Sequence, residues 1–180
     1  MIPPELIETP RLILRKPIAP DDAPRIYASY AHDAEVTRYL TWRPHRDTDE
    51  SHRILRTRLA WWDEGREFSW LITSRTDGAV MGMISASDDD CPSRYTFGYV
   101  LARQFWGLGY MTEAARAVLD ELFATPTVAR VWAVADCENL ASMRVLEKAG
   151  MQREGLLRKW SVHPALSPEP RDCWCYARVR

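Results

Sequence analysis

Gln104, Gly107 and Gly109 form a Q-x-x-G-x-G pattern within the stretch QFWGLGY. The pattern follows a strand-like run and precedes a helix-like run, so several of its backbone N–H groups would lack intrahelical partners. These groups and the positive end of the helix dipole together predict an anion site, for which phosphate is the usual ligand. A side chain at either glycine would block the close approach of that ligand. On this pattern alone, a plain strand-to-helix turn is an equally good interpretation.

The glycine pattern differs from the two common nucleotide motifs, and the composition excludes several other classes. No Gly-Lys-Ser/Thr follows, as a Walker loop requires, and the spacing is not G-x-G-x-x-G. A formal net charge of −1 provides no basic field for nucleic acid. The sequence contains no apolar run near the roughly 20 residues of a membrane span, and MIPPELIETP lacks the features of a signal peptide. We therefore expect a cytoplasmic protein with neither nucleic acid nor membrane as a partner.

The cysteines and histidines predict no metal site. Cys173 and Cys175 share one face of a strand-like run, but a lone C-x-C without a second pair is a weak metal signal. Small core residues are the favoured interpretation of this pair. The histidines are scattered without ligand spacing; they are His32, His45, His52 and His163.

The elements around the glycine pattern predict one domain, residues 1–180, with a sheet covered by helices, of the α/β or α+β class. Alternating or branched apolar runs predict seven strands, at 11–16, on both sides of the Asp77-Gly78 turn in 68–87, and at 94–102, 129–136, 153–162 and 171–179. Apolar periodicity predicts about four helices, at 19–31, 48–65, 111–124 and 139–150. Thr48 or Asp49 is expected to cap the second helix and Asn139 the last.

Two long segments resemble the GNAT superfamily of acyl-CoA-dependent N-acyltransferases, and most closely its ribosomal-protein N-terminal acetyltransferase (RimJ/RimL) branch. FGYVLARQFWGLGYMTEAARAVL is similar to that branch's fourth strand, pyrophosphate loop and third helix. RVWAVADCENLASMRVLEKAGMQREGLLRK is similar to its fifth strand, fourth helix and sixth strand. TPRLILRK and RDCWCYARV resemble its first and last strands. The resemblance implies a mixed, mostly antiparallel seven-stranded sheet whose strands 4 and 5 splay apart.

The resemblance also implies how acetyl-CoA would bind. Pantetheine would lie between the splayed strands and pair with the fourth like an added strand. An N–H near Leu101 would bind the thioester oxygen as negative charge develops, and amides from 104 to 110 would hold the pyrophosphate. The cofactor-binding residues implied in this way are Val100, Leu101, Ala102, Gln104, Gly107, Leu108, Gly109, Tyr110, Met111, Asn139 and Ser142.

Ser142 is the implied catalytic side chain, together with the backbone of Leu101. Many GNAT enzymes carry a tyrosine on the fourth helix as proton donor to the departing thiolate, but the matching position here is Leu146. The RimL-like branch has a serine one turn earlier, so Ser142 would hydrogen-bond the departing sulfur. Asn139 would bond the pantetheine arm. Capping alone also explains an asparagine at this helix start.

The general base and the acceptor site remain open in the sequence. Glu154, Asp172 and Asp136 are candidate bases, although a solvated charge at a strand end is the favoured interpretation of any single one. An α-amine, with a pKa near 8, would need little more than water. The segment 39–47 and the run WWDEG match the acceptor side of similar proteins. There Trp42, Trp61 and Trp62 would form an apolar wall or pack in the core, and Arg43 and Arg46 would attract a carboxylate.

The resulting hypothesis is an acetyl-CoA-dependent N-acetyltransferase that transfers acetyl directly to an amine. The expected acceptor is the N-terminal α-amine of a protein or peptide. The alternatives are a small-molecule amine (a polyamine, amino acid or antibiotic) or a catalytically silent acyl-CoA-binding module. The tryptophans leave room for a homodimer.

Overall fold

Eight strands form a single mixed sheet in the computed structural model, which describes residues 2–180. Their order across the sheet is β1-β2-β3-β4-β5-β6-β8-β7, and every neighbouring pair is antiparallel except β5 and β6. The strands are β1 Leu6–Glu8, β2 Leu12–Arg15, β3 Glu67–Ser74, β4 Val80–Asp88, β5 Arg94–Leu101, β6 Arg130–Asp136, β7 Gln152–Ser161 and β8 Arg171–Val179. The predicted mixed, mostly antiparallel sheet is confirmed.

The sheet has one strand more than the seven predicted. The additional strand, β1, contains three residues and pairs with β2 through Leu6↔Arg15 and Ile7↔Leu14. A run this short, between the prolines at positions 4 and 10, is too brief for alternation to reveal it. The predicted fourth and fifth strands are consequently β5 and β6.

Five α-helices cover the sheet. They are α1 Ala19–Ile26, which continues into a π-helical turn over Tyr27–Ala31, α2 Ala34–Thr37, α3 Thr48–Asp63, α4 Tyr110–Ala124 and α5 Leu140–Lys148. The four-residue α2, capped by Asp33, was not predicted. Asp47, rather than Thr48 or Asp49, caps α3, because its carboxylate accepts from the Glu50 amide at 2.7 Å. Asn139 caps α5 as predicted.

Alternation along the strands assigns the two faces of the sheet. Phe68, Trp70 and Ile72 of β3 belong to the hydrophobic cluster that includes α4 and α5. Leu71, between them in sequence, belongs to the second cluster, which includes residues of α1, α2 and α3. The first face therefore packs against α4 and α5, and the second against the N-terminal helices.

β5 and β6 separate along their length. Their parallel pairing covers only Arg94↔Arg130, Tyr95↔Val131 and Thr96↔Trp132. From Phe97 onward β5 retains β4 on one side and has no strand on the other. The predicted splay is confirmed, and it leaves a row of β5 backbone groups facing a gap.

Candidate active site

The loop between β5 and α4 presents free amides at the start of a helix. Gly107 and Gly109 have φ angles of +76° and +79°, a left-handed conformation that glycine adopts without strain. Within residues 2–180, no hydrogen bond occupies the amides of Gly107 or Gly109. The first helical bond of α4 runs from Glu113 N to Gly109 O at 3.1 Å, so the amides of Tyr110 and Met111 also lack an intrahelical acceptor. Free amides at the start of a helix are an arrangement that suits an anion.

The glycines are needed for backbone shape as well as for clearance. A Cβ at Gly107 would meet no protein atom within 4 Å, and one at Gly109 would meet only Arg11 Nη2, at 3.6 Å. Open space in front of both positions is what an approaching ligand requires. The positive φ angles add a second reason for glycine that the spacing alone did not reveal.

An N-terminal arginine braces this loop. Arg11 Nε donates to Glu113 Oε2 at 2.6 Å, and its Nη1 donates to the Leu108 carbonyl at 3.0 Å. Its guanidinium also lies 4.3 Å from the centroid of the Tyr110 ring. Glu113 accepts a further bond from Thr9 Oγ1 at 2.7 Å. Although burial opposes ionisation, the bonds from Thr9 and Arg11 outweigh it and lower the pKa of Glu113 below its ordinary value.

Sequence reasoning missed this brace because its partners lie 102 residues apart. The only local signal was an acidic residue in the first turn of α4, which also serves the helix dipole. Beside the brace runs an open groove lined by the cationic side chains of Arg11, Arg116 and Lys148 and by the carboxylates of Glu8 and Glu113. The charges of this groove are therefore mixed, with three cationic side chains and two carboxylates.

Two aromatic residues hold the other end of the loop. The Phe105 ring packs edge-on against Tyr110, with centroids 6.1 Å apart. Trp106 is 44% exposed, and its Nε1 donates to the Leu101 carbonyl at 2.7 Å. Both residues anchor the loop to its flanking elements. Gln104 lies exposed in the short 3-10 turn Arg103–Phe105.

The backbone of Leu101 faces the gap between β5 and β6. Leu101 pairs with Gly82 of β4, while the next amide, of Ala102, donates to Met81 O at 2.7 Å. This is the non-hydrogen-bonded arrangement, so the Leu101 N–H points away from β4. The Val100 carbonyl points the opposite way, since a Cβ at Gly82 would lie 2.2 Å from it. Of the three implied strand residues, Leu101 alone directs its amide into the gap.

Asn139, Ser142 and Tyr99 meet on the α5 side of the gap. Asn139 Oδ1 accepts from the Ser142 amide at 3.1 Å, which is a capping bond. The Ser142 hydroxyl lies 2.8 Å from the Tyr99 hydroxyl, which also donates to the Ser142 carbonyl at 3.1 Å. Burial raises the pKa of Tyr99 well above its ordinary value, so this phenol remains protonated. A donor pair therefore stands beside the splay, and Leu146 is fully buried in the core.

Comparison with known proteins identifies the family. A family model described as an acetyltransferase (GNAT) domain matches residues 11–152. The chain is a GNAT acetyltransferase. It is 32% identical over 176 residues to an uncharacterized N-acetyltransferase of Bacillus subtilis, YoaA, with 97% of each chain covered. The predicted family and enzyme class are confirmed.

Solved structures share the GNAT fold over nearly the whole chain. A GNAT-family acetyltransferase from Bacillus anthracis has a TM-score of 0.84 at 25% identity, covering 97% of this chain and 98% of that one. The ribosomal L7/L12 α-N-protein acetyltransferase RimL, in complex with coenzyme A, has a TM-score of 0.87 at 19% identity, with coverage of 97% and 98%. The microcin C7 self-immunity acetyltransferase MccE, in complex with acetyl-CoA and AMP, has a TM-score of 0.85 at 19% identity and coverage of 96% and 94%. The RimJ/RimL-like resemblance thus extends to the fold.

The three candidate bases of this GNAT acetyltransferase occupy different surroundings. Glu154 forms an ion pair with Arg130, which lowers the pKa of Glu154. Asp172 is exposed and accepts from the Lys159 amide at 2.8 Å. Asp136 is buried at the end of β6 and bonds Arg171 Nε at 2.6 Å. Burial opposes its ionisation, but the bonds from Arg171 and the Glu138 amide lower the pKa of Asp136 overall.

The tryptophans expected on the acceptor side of the GNAT acetyltransferase divide between two roles. Trp62 is a core residue, 3% exposed, with its ring edge-on to Phe68 and Trp70 at 5.3 and 5.2 Å. Trp42 is partly buried and packs against the second hydrophobic cluster. Trp61, which is on α3, has the Arg66 guanidinium over its ring. Core packing therefore explains Trp62, whereas Trp42 lies on the second face of the sheet.

Among residues 2–180, no group of three or more His, Cys, Asp or Glu side chains is arranged to hold a metal ion. None of the helices described is long and apolar enough to cross a membrane. All four cysteines are free thiols.

Proposed function

We propose that this GNAT acetyltransferase uses acetyl-CoA to acetylate the N-terminal α-amine of a protein or peptide. The carrying observation is the Leu101 amide, which points into the gap where β5 has lost its β6 neighbour. An N–H in this position suits the thioester oxygen, whose negative charge grows in the transition state. The free amides of the glycine loop lie next along the chain and suit the pyrophosphate.

Ser142 and Tyr99 complete the donor half of the site. We infer that, when CoA is bound, the Tyr99 hydroxyl turns its single hydrogen from the Ser142 carbonyl to Ser142 Oγ, while Ser142 Oγ donates its own hydrogen to the departing sulfur. Because the pKa of Tyr99 is raised, the phenol serves as a hydrogen-bond donor rather than as an anion. The thiolate, with a reference pKa near 8.5, is a fair leaving group and needs only this assistance. Acetyl passes directly to the amine, with no covalent enzyme intermediate.

The choice of a protein N-terminus rests on fold similarity and on the reactivity of α-amines. RimL acts on ribosomal L7/L12, and a putative ribosomal-protein-serine acetyltransferase of Vibrio cholerae also shares the fold, with a TM-score of 0.84. An α-amine, with a pKa near 8, is partly uncharged at neutral pH, whereas a lysine amine above 10 is not. A small-molecule acceptor is the second candidate, because MccE, in complex with acetyl-CoA and AMP, is similarly close in fold.

A thiol-release screen tests this proposal. The purified chain is given acetyl-CoA and a panel of peptides with free N-termini, the same peptides with blocked N-termini, and small amines. We expect turnover with the free N-termini and none with their blocked counterparts. Turnover confined to small amines would establish the second candidate. Acetyl-CoA binding without turnover of any amine would indicate a catalytically silent acyl-CoA-binding module.

A further inference from the structure

A buried histidine on the second face of the sheet has an unused ring nitrogen. His163 lies between β7 and β8, with its side chain 5% exposed. Its Nε2 is 3.5 Å from Asp136 Oδ2, whereas its buried Nδ1 has no hydrogen-bond partner within residues 2–180. An unpaired buried polar atom destabilises the folded chain. The unpaired Nδ1 is therefore available to a group that reaches it.

Asp136 and Arg171 fix the state of this imidazole. Asp136 is 2% exposed and holds two bonds from the Arg171 guanidinium, at 2.6 and 3.2 Å. Since its pKa is lowered, Asp136 stays ionised, and its negative charge 3.5 Å from Nε2 favours the tautomer with hydrogen on that atom. In that tautomer the lone pair resides on Nδ1, the unpartnered atom.

His163 lies on the face of the sheet opposite the glycine loop between β5 and α4. Val131, Ala133 and Ala135 of β6 point into the cluster that includes α4 and α5. Asp136 follows Ala135 and therefore points to the second face, as does Cys173, its partner in β8. Because the glycine loop and Ser142 belong to the α4 and α5 side, an amine attacking a thioester in the gap has the second face available.

One short segment, between α2 and α3, packs against both His163 and the cluster beside the end of β5. Residues 38–47 form no helix or strand. Trp42 of this segment packs against the second hydrophobic cluster, and Val100 of β5 packs against the same cluster. Tyr39 meets the His163 ring edge-on, with centroids 6.5 Å apart. Residues 38–47 therefore contact both the imidazole and the cluster beside Val100. Since Thr96 pairs with Trp132 in the parallel register, Asp136 at the end of β6 lies level with Val100 of β5, which places His163 at the open end of the gap.

We propose that His163 is the proton acceptor for the attacking amine, with Asp136 and Arg171 as positioning residues; this rests on the acetyl transfer proposed above. The substrate ammonium gives one proton to His163 Nδ1, which passes it to solvent. The nitrogen lone pair forms the N–C bond as the C–S bond breaks. The second N–H proton ends on the thiolate sulfur. The products are the acetylated amine, CoA thiol and one released proton.

The other groups that face the imidazole do not compete for this proton. Cys173 Sγ lies 3.9 Å from His163 Nε2, and burial raises the pKa of Cys173 to about 11, so it remains a thiol. The Arg171 guanidinium is engaged with Asp136 and Glu138. Tyr39 presents its ring to the imidazole. Proton transfer is therefore assigned to Nδ1 alone.

His163→Gln tests the proposal, because a glutamine amide keeps a donor near Asp136 and lacks the Nδ1 lone pair. We expect kcat/KM near neutral pH to fall about 100-fold, within the usual range for a general base. The difference in kcat/KM between wild type and His163→Gln should narrow at alkaline pH, because the amine then loses its own proton in solution. The acetyl-CoA Kd should stay within about threefold of wild type. The matched control is His52→Gln, on α3, which should preserve the wild-type pH profile.

A pH-independent loss in His163→Gln, or a loss matched by weaker acetyl-CoA binding, would show that His163 is structural and overturn the proposal. The assay uses any amine that the wild type accepts, so failure of peptide substrates alone refutes only the N-terminal acceptor. If no amine is accepted, imidazole ¹⁵N shifts of the full chain decide at mildly alkaline pH. The proposal requires hydrogen on Nε2 of His163; hydrogen on Nδ1 overturns it.

Discussion

Replacing Gly107 with alanine separates the shape of the loop from its packing. The residue has a φ angle of +76°, and a Cβ there would meet no protein atom within 4 Å. The cost is therefore conformational, about 1–2 kcal/mol for a left-handed residue with a side chain. Since the loop is exposed, it leaves this conformation without unfolding the sheet. We expect the acetyl-CoA Kd to rise about tenfold, which corresponds to about 1.4 kcal/mol.

Gly78 provides the matched control. It has a φ angle of +69°, equally open surroundings and a place in the turn between β3 and β4. Gly78→Ala carries the same conformational cost but should leave the acetyl-CoA Kd unchanged. Gly107→Asn adds a second comparison, because asparagine adopts the left-handed conformation more readily. Its larger side chain lies where the phosphate approaches, so Kd should rise at least as much as in Gly107→Ala.

Calorimetric titration of acetyl-CoA into the four proteins decides the matter. A Kd within about threefold of wild type in both Gly107 variants would refute the pyrophosphate assignment. Equal weakening in Gly78→Ala would show that the effect is general destabilisation. If the pyrophosphate assignment is refuted, the loop is a plain turn between strand and helix.

Three further results are expected. Ser142→Ala should lower kcat about 10- to 100-fold with little change in the acetyl-CoA Kd. The Kd is spared because Asn139 caps the helix through the Ser142 amide, which alanine retains. Equal losses in kcat and in acetyl-CoA binding would contradict the role of Ser142 at the sulfur. Arg11→Ala removes the bonds to Glu113 and Leu108 and should raise the acetyl-CoA Kd, measured by calorimetry, about fivefold, or about 1 kcal/mol. A lower Tm with an unchanged acetyl-CoA Kd would contradict the role of Arg11 in bracing the loop. The lowered pKa values of Glu113 and Asp136 contribute stability that is fully present above their ordinary values near 4. Tm from calorimetry should therefore hold above about pH 5 and fall as pH drops through the lowered values, whereas a Tm that rises on acidification would contradict this linkage.

Local patterns predicted the elements that carry a short-range signal. The Asp77-Gly78 turn, the glycine loop before α4 and the Asn139 cap each involve residues a few positions apart, so propensity and spacing suffice to predict them. The strand β1 was missed because three residues between prolines show no period. The cap of α3 was misplaced by one or two residues, a common error at helix ends.

The site residues that escaped prediction depend on pairings across the sheet. Arg11 reaches Glu113 across 102 positions, and Tyr99 reaches Ser142 across 43. Which face Tyr99 occupies follows from the register of β4 and β5, which the sequence does not state. His163 follows an irregular stretch of β7, where the register shifts between Leu157 and Ser161. No ligand spacing marked it, because its partner Asp136 lies on another strand.

A peptide with one free N-terminus and one internal lysine tests the central claim most directly. Both amines compete for the same acetyl group, and fragment mass spectrometry after incubation with acetyl-CoA locates the modification. The account predicts acetylation at the α-amine, dependent on the chain and greatly reduced by Gly107→Glu. Acetylation at the lysine alone, or equal acetylation with wild type and Gly107→Glu, would contradict it.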